Sequence, residues 1–535
     1  MQSKKSYRNR WIALGFMGFS LLVISMDDTV LNLALPSIAE NLGSTAGQQQ
    51  WMLNSYILAI AGLLLTMGYI GDRIGCKIVL QAGLAIFGAF SLGAALTNSN
   101  ITLIIMRGFT GIGAAMIMPA TLSILTATFR DSKERAQAIA IWSAVFALGL
   151  GIGPLIGGYL LEHFHWSSVF YINIPVVIIG LIGGQLFIDN SRAENARKID
   201  PLGAILSTSG IFALVYAIIQ AGEDGWAEGH VLYAFGAAFV LLSVFIYWEL
   251  KSEDAMLPIH FFRNMSFTGA NVALTLVSFA MMGALYFLSQ FMISVQGYSP
   301  LEAGVRLLPI ALVTFLFTII SARIAGYIGT KYTVAIGIFV SALGFFYFAN
   351  IAAVDTSYSL IVVGMCIISM GLGLTISPAT NSIMGSIPVF QAGIGSAMNN
   401  TTRMIGGALG VAILGTLLSS NYISRINAYN WPSSISARML ETIRNSIQGA
   451  HIVAQNVTDP QLSQFIIETA DKALVSSITA ALLVAAAIMG LTSIITVIVL
   501  PSQVRPYREK TYFTKAKMTS SRGTNDPVDR PPADL

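Results

Sequence analysis

Apolar residues along this chain come in long unbroken runs. They follow neither the three-to-four-residue stripe of a surface helix nor the alternation of a half-buried strand. A bilayer core of about 30 Å takes about 20 residues of helix to cross. Runs of that kind lie at 11–35, 51–70, 78–97, 101–128, 138–161, 168–187, 203–219, 230–248, 267–294, 306–328, 332–353, 358–376, 395–418 and 475–500. The pattern predicts an all-α membrane protein with 14 crossings. The first run is too long for a secretion signal and no small-residue cleavage site follows it, so it is expected to stay as a helix. Residues 188–202 form a short charged connector. Residues 419–474 form a long polar stretch, in which mixed apolar and charged spacing over 434–449 predicts one short surface helix. Residues 503–535 are basic, then rich in Pro, Ser and Asp, and are expected to be disordered.

Composition agrees with a membrane protein. The 535 residues are 55% hydrophobic and 10% charged, where soluble proteins carry about 25% charge. The placement of the basic residues tells more than their number. Every second connection holds them: Lys4, Lys5, Arg8 and Arg10; Arg73 and Lys77; Arg130, Lys133 and Arg135; Arg192, Arg197 and Lys198; Lys251 and Arg263; Arg323 and Lys331; and seven in the tail. The connections 36–50, 98–100, 162–167, 220–229 and 354–357 contain no Lys or Arg. This is the positive-inside pattern, which predicts an even number of crossings and both termini in the cytoplasm.

Several kinds of chemistry find no support. The five histidines have no metal-ligand spacing, and no nucleotide-binding loop is present. No Ser/His/Asp or Cys/His set suggests an enzyme, and no repeated pore loop suggests a channel. Cys76 lies in a loop and Cys366 in a predicted helix, so no disulfide is expected. Neither a cofactor nor a nucleic-acid partner is expected.

Charge inside the membrane is costly, by about 2.5–3.5 kcal/mol on insertion scales. Four charges stand well inside the runs: Asp27, Asp28, Arg107 and Arg403. Asp27 lies about 12 Å of helix rise from the outer end of run 1, and Arg107 about 9 Å from that of run 4. The matched depths predict that the two side chains meet in the outer half of the bundle. An acid whose pKa changes with conformation can carry a proton from one side to the other. A fixed ion pair setting helix register is the alternative. Asp28, a proton-coupling candidate alongside Asp27 and Arg107, points roughly 100° away from Asp27. Arg403 either works inside run 13 or marks its inner end. Asn32, Asn54, Tyr56, Phe146, Tyr286, Gln290, Phe291, Asn400 and Arg403 are candidate cargo contacts, with the aromatics supplying cation–π surfaces.

Three motifs point to a family. Gly68-Tyr69-Ile70-Gly71-Asp72-Arg73-Ile74-Gly75-Cys76-Lys77 joins runs 2 and 3. Its glycines suit a tight turn, Asp72 suits a helix N-terminus, and Arg73 and Lys77 hold the turn inside. It resembles the G-x-L-A-D-R-x-G-R-K loop of the major facilitator superfamily, with Cys76 in place of a basic residue. Gly149-x-x-x-Gly153-Pro154-x-x-Gly157-Gly158 in run 5 resembles the pattern of its antiporters, and Leu103-Ile104-x-x-Arg107-Gly108-x-x-Gly111-x-Gly113 resembles another of its motifs, with Thr110 at the usual Gln. Met26–Pro36, Trp166–Pro175 and Gly297–Pro309 resemble signatures of its fourteen-span drug:proton antiporters.

The resemblance implies two six-helix bundles, 11–187 and 267–500, flanking a linker at 188–266 with two inserted helices. The ends 1–10 and 501–535 would be cytoplasmic, and 419–474 an outer loop. It implies a monomeric, proton-gradient-driven multidrug exporter in the cytoplasmic membrane. The cargo would be a small amphipath, monocationic, zwitterionic or neutral. Similar dication exporters carry acids in W-x-x-D-x-Y and near the position of Gly406; this chain has Asn54 in the first motif, and Asn400 and Met404 stand in the later stretch. A dedicated exporter of one metabolite, lipid-like acid or osmolyte is the alternative.

Overall fold

The computed structural model describes residues 9–44, 46–189, 200–252, 255–432 and 434–503. The tail, most of the charged connector and the first eight residues, with Lys4, Lys5, Arg8, Arg192, Arg197 and Lys198, lie outside the described residues.

Among the described residues, fourteen helical segments are long and apolar enough to cross a membrane. They are α1 (Arg10–Leu42), α2 (Ala46–Ile74), α3 (Cys76–Leu96), α4 (Asn100–Thr128), α5 (Ser132–His163), α6 (Asn173–Phe187, which spans together with the preceding turn from Ser168) and α7 (Pro201–Glu223). Then follow α8 (Gly229–Lys251), α9 (Met265–Gln290), α10 (Pro300–Ile328), α11 (Thr330–Ile351), α12 (Tyr358–Gly385), α13 (Ala392–Ala428) and α14 (Pro460–Val499). Local sequence sets their starts. Ser99 caps α4, Asp131 caps α5, Asp200 caps α7, and Ser299 with Glu302 forms a capping box on α10. Asp131 is the clearest: the Glu134 and Lys133 amides it accepts hold its carboxyl below the usual carboxylate range.

The helices α1–α6 pack into one lobe and α9–α14 into a second. Two seams join the lobes: α5 lies along α10, and α2 along α13. Between the lobes in sequence, α7 packs against both α2 and α13, and α8 packs on the outside of α7. The end of the bundle carrying Arg73, Lys77, Arg263 and Lys331 is called here the basic end.

Two one-glycine turns at the basic end mark an internal repeat. Ile74-Gly75-Cys76-Lys77 links α2 to α3, and Ile328-Gly329-Thr330-Lys331 links α10 to α11. Gly75 has φ 112° and Gly329 φ 87°. A Cβ is disfavoured at such angles.

The long polar stretch departs from expectation. Residues 419–474 are largely helical rather than loop: α13 runs on to Ala428, and α14 begins at Pro460. Between them stand two short helices, Ala437–Asn445 and Ile447–Asn456, where one was expected over 434–449. Ser446 divides them and caps the second through the Gly449 amide. Hydropathy measures the width of a bilayer, whereas hydrogen bonding continues past it. The protruding ends are stitched together by Tyr422 Oη donating to the Ile443 carbonyl (3.0 Å), Ser463 Oγ to the Ala454 carbonyl (2.7 Å), and the His451–Asp471 contact (3.0 Å).

Gly75→Ala should lower stability by about 1–2 kcal/mol, the cost of a Cβ in a left-handed conformation. Gly47, exposed in the first turn of α2 with open space around it, is the control, and Gly47→Ala should not lower it. Thermal unfolding of the detergent-solubilised protein reads both. Equal melting temperatures for the two variants would contradict the turn argument.

Candidate functional site

The first site forms where five helices of the first lobe converge. Asp27 on α1 and Arg107 on α4 are buried, with 5% and 1% of their surface exposed. Arg107 Nη1 donates to Asp27 Oδ2 at 2.5 Å, and its Nε donates to the Met52 carbonyl of α2 at 3.3 Å. The Tyr56 ring lies 4.2 Å from the guanidinium carbon. The other carboxylate oxygen of Asp27 accepts from Asn173 Nδ2 at 3.1 Å, and that amide also donates to Ser91 Oγ of α3 at 3.2 Å. Both charges are therefore matched: the acid by two donors, the base by a carboxylate, a carbonyl and an aromatic face.

Local sequence explains how the pair is held. Gly111, one helical turn beyond Arg107, lies against α2, and a Cβ there would stand 2.6 Å from the Tyr56 carbonyl oxygen. The glycine lets α2 approach closely enough to place Met52 and Tyr56 on the guanidinium. Asn173 opens α6 after a one-turn helix, Ser168–Tyr171, and this places its side chain at the depth of Asp27. Sequence reasoning passed over Asn173 and Ser91. The available signal was a lone amide inside the apolar stretch that follows Trp166.

Asp28 is half-buried, and its electrostatic neighbours are Asp27, Arg107 and Tyr56. The two adjacent acids thus feel the same base despite their different directions around α1. Asn32, one turn further along α1, is exposed and donates to the Asp28 carbonyl.

The second site is the turn between α2 and α3. Asp72 accepts from the Gly393 and Ile394 amides at 2.8 and 3.2 Å, at the start of α13 in the other lobe. A carboxylate at a helix N-terminus meets unsatisfied amides and the positive end of the helix dipole. The lobes touch closely here, and a Cβ on Gly68 would collide with the Gly393 carbonyl. Arg73 lies over the Tyr69 ring at 6.0 Å, and Lys77 Nζ donates to the Gln185 carbonyl at 3.0 Å. Cys76 Sγ donates to Ser123 Oγ at 3.2 Å. The basic end of this seam is closed.

The third site is α5, whose small residues form two stripes. Gly149, Gly153 and Gly157 face Ser25, Thr29 and Val30 of α1, inside one lobe. Gly151 faces Ala311, Pro154 meets Gly304, and Gly158 faces Leu301, all on α10 of the other lobe. One helix therefore packs tightly within its lobe and flatly across the seam.

Comparison with known proteins follows from this geometry. A sequence profile of the Major Facilitator Superfamily matches residues 17–411. The chain belongs to that family. The "Multidrug efflux pump LfrA" of Mycolicibacterium smegmatis is 32% identical over 85% of this chain and 90% of its own. The "Tetracenomycin C resistance and export protein" of Streptomyces glaucescens is 29% identical, over 77% of this chain and 76% of its own. The "Methyl viologen resistance protein SmvA" of Salmonella typhimurium is 29% identical, over 88% and 94%. A solved structure, that of the human organic anion transporter MFSD10, superposes with a TM-score of 0.57 at 13% identity, covering 91% of this chain and 100% of that one. That likeness is one of fold.

Several side chains sit elsewhere than a central cargo site requires in this major facilitator protein. Tyr56 is 1% exposed and is taken up by Arg107. Phe291 is fully buried against Phe348, with ring centroids 6.0 Å apart. Gln290 stands near the end of α9 remote from the basic end, where its carbonyl oxygen accepts from Gln448 at 3.0 Å. The helix α9 ends at Gln290 with a further turn to Val295, where the expected run 267–294 also ends, so 290 and 291 are terminal rather than central. Tyr286 is 41% exposed beside Phe287. Asn54 donates to Glu223 of the inserted helix α7 at 3.2 Å. Asn400 is buried and donates to the Ser396 carbonyl of its own helix. Arg403 is eleven residues into α13, about 16 Å of rise from its start. It does not mark the helix end, and its guanidinium carbon lies 5.5 Å from the Phe146 ring of α5.

Breaking a buried pair by removing one partner costs about 3–5 kcal/mol, while replacing both with neutral groups is far milder. Arg107→Ala should therefore melt well below wild type, and the double variant Asp27→Asn/Arg107→Gln should recover much of the loss. A wild-type melting temperature for Arg107→Ala would show that the carboxylate does not depend on its partner.

Proposed function

We propose that this protein exports small amphipathic molecules across the cytoplasmic membrane in exchange for protons, with the basic end and both termini in the cytoplasm. The observation that carries the reading is Asp27, a carboxylate buried at membrane depth and matched to Arg107 and Asn173. The relatives, an efflux pump and resistance proteins, support outward transport.

The mechanism follows from burial. While Arg107 stays on Asp27, the carboxylate keeps its charge. When the lobes rock and the contact loosens, the low-dielectric surroundings favour the acid form, and a proton from outside binds the carboxylate oxygen. Return of the guanidinium displaces that proton toward the cytoplasm. Cargo that favours the unprotonated arrangement is carried the other way. Asp72 on the α13 N-terminus holds the cytoplasmic side shut in one arrangement, and the small-residue α5–α10 contact lets the lobes move with few interlocking side chains. The protein acts as a monomer, with the proton gradient as its energy source, no cofactor and no chemical change to its cargo.

In proteoliposomes with an imposed proton gradient, Asp27→Asn should lose gradient-driven transport of a fluorescent amphipath by at least tenfold while still binding it. Undiminished transport would leave Asp27 as a fixed structural ion and sink the coupling scheme. A panel of unrelated amphipaths separates a multidrug exporter from a dedicated one.

A Cβ on Gly151 would strike Ala311 across the seam and touch nothing else closely. Gly151→Val should therefore fold and melt near wild type but export several-fold more slowly. Normal export would show that this contact is not shared by the moving arrangements.

A further inference from the structure

Arg403 is a second buried-depth cation, and it lacks what Arg107 has. At about 16 Å of rise along α13 it stands near the middle of a hydrocarbon layer about 30 Å thick. A guanidinium keeps its charge there. None of the ion pairs among the described residues includes it. Its recorded contact is the face of Phe146, on α5 of the opposite lobe. The helices α5 and α13 are not a closely packed pair, so the two side chains meet across the space between the lobes.

The face of α13 below it is equally unsatisfied. Asn399 is one turn away and Ser396 two, which puts all three on one strip of the helix. Asn399 is fully buried, and neither its amide nitrogen nor its oxygen has a partner. Ser396 Oγ is also buried without one. Buried polar groups in folded proteins are nearly always hydrogen-bonded. This strip holds a permanent cation, an amide donor and a hydroxyl, with an aromatic wall beside the cation. Their common complement is an anionic oxygen group joined to an apolar body.

We propose that the Arg403–Asn399 strip binds the carboxylate of an amphipathic cargo, with the apolar part of that cargo against Phe146. This rests on the export reading and narrows its cargo to zwitterions and monoanions, away from the monocations and neutral molecules expected from sequence. The acid-bearing site in the first lobe then serves proton coupling, and the base-bearing strip in the second serves cargo recognition.

The test uses one scaffold in two forms: tetramethylrhodamine with its free carboxylate, and its methyl ester. Binding to the full chain in lipid nanodiscs is read by fluorescence anisotropy. Wild type should bind the free acid about tenfold more tightly than the ester, as expected for one charge-assisted hydrogen bond. Arg403→Gln should abolish the preference by weakening free-acid binding without weakening ester binding, and Arg403→Lys should retain part of it. Asn399→Asp, which sets a negative charge beside Arg403, should also abolish it. Equal binding of the two dyes by wild type, binding of neither, a preference that survives Arg403→Gln, or a parallel loss of ester binding in both variants overturns the proposal. Gradient-driven efflux of the ester from proteoliposomes is measured alongside. If the ester is pumped but no preference exists, the recognition strip is wrong and export stands. If neither dye is pumped, the export reading itself falls.

Discussion

The arrangement of the first lobe depends on neutralising one guanidinium where water is absent. Arg107 cannot be deprotonated, and at its depth an unmatched charge would be expensive. Its carboxylate comes from α1, its carbonyl and ring from α2, and the donor that steadies the carboxylate comes from α6 through a bond shared with α3. Five helices of the lobe are thereby fixed in rotation and depth by one charge. Lipid offers no hydrophobic force to press helices together, so polar convergence of this kind sets their register.

The seams between the lobes work on the opposite principle. Across α5–α10 the contact is mostly small on small, Gly151 on Ala311 and Pro154 on Gly304, with Leu301 seated over Gly158. Across α2–α13 it is glycine on glycine, with one carboxylate on a helix end. Such faces make broad van der Waals contact with little interdigitation, Leu301 over Gly158 being the exception. They hold a given arrangement while leaving another within reach, as rocking-bundle transport requires.

The crossings were legible from apolar run length, and the meeting of Asp27 with Arg107 from helix rise alone. The glycine pattern of α5 was legible as a pattern, but its division between α1 and α10 was not, because one helix wheel does not name the neighbours it faces. Asn173 was missed because its role requires knowing that the start of α6 lies at the depth of Asp27. Gln290 and Phe291 stand near the end of run 267–294, and the helix ends there too, so their distance from the centre was already readable in the run. The demands of Arg107 and of α7 absorbed Tyr56 and Asn54. The polar stretch before α14 was misjudged because hydropathy falls silent where a helix leaves the membrane and keeps going.

The α7–α8 hairpin is fastened unevenly. Toward α2 it is tied along its length: Tyr69 to the Asp200 amide, Thr66 to Thr208, and Asn54 to Glu223. Toward α13 its recorded polar tie is Trp226 to Thr416. In any relative motion of the lobes the hairpin is thus a passenger of the first. It lies over the α2–α13 seam like a shutter, while the α5–α10 seam has no such cover. The molecule is consequently lopsided in the plane of the bilayer, with one flank screened from lipid and the other bare.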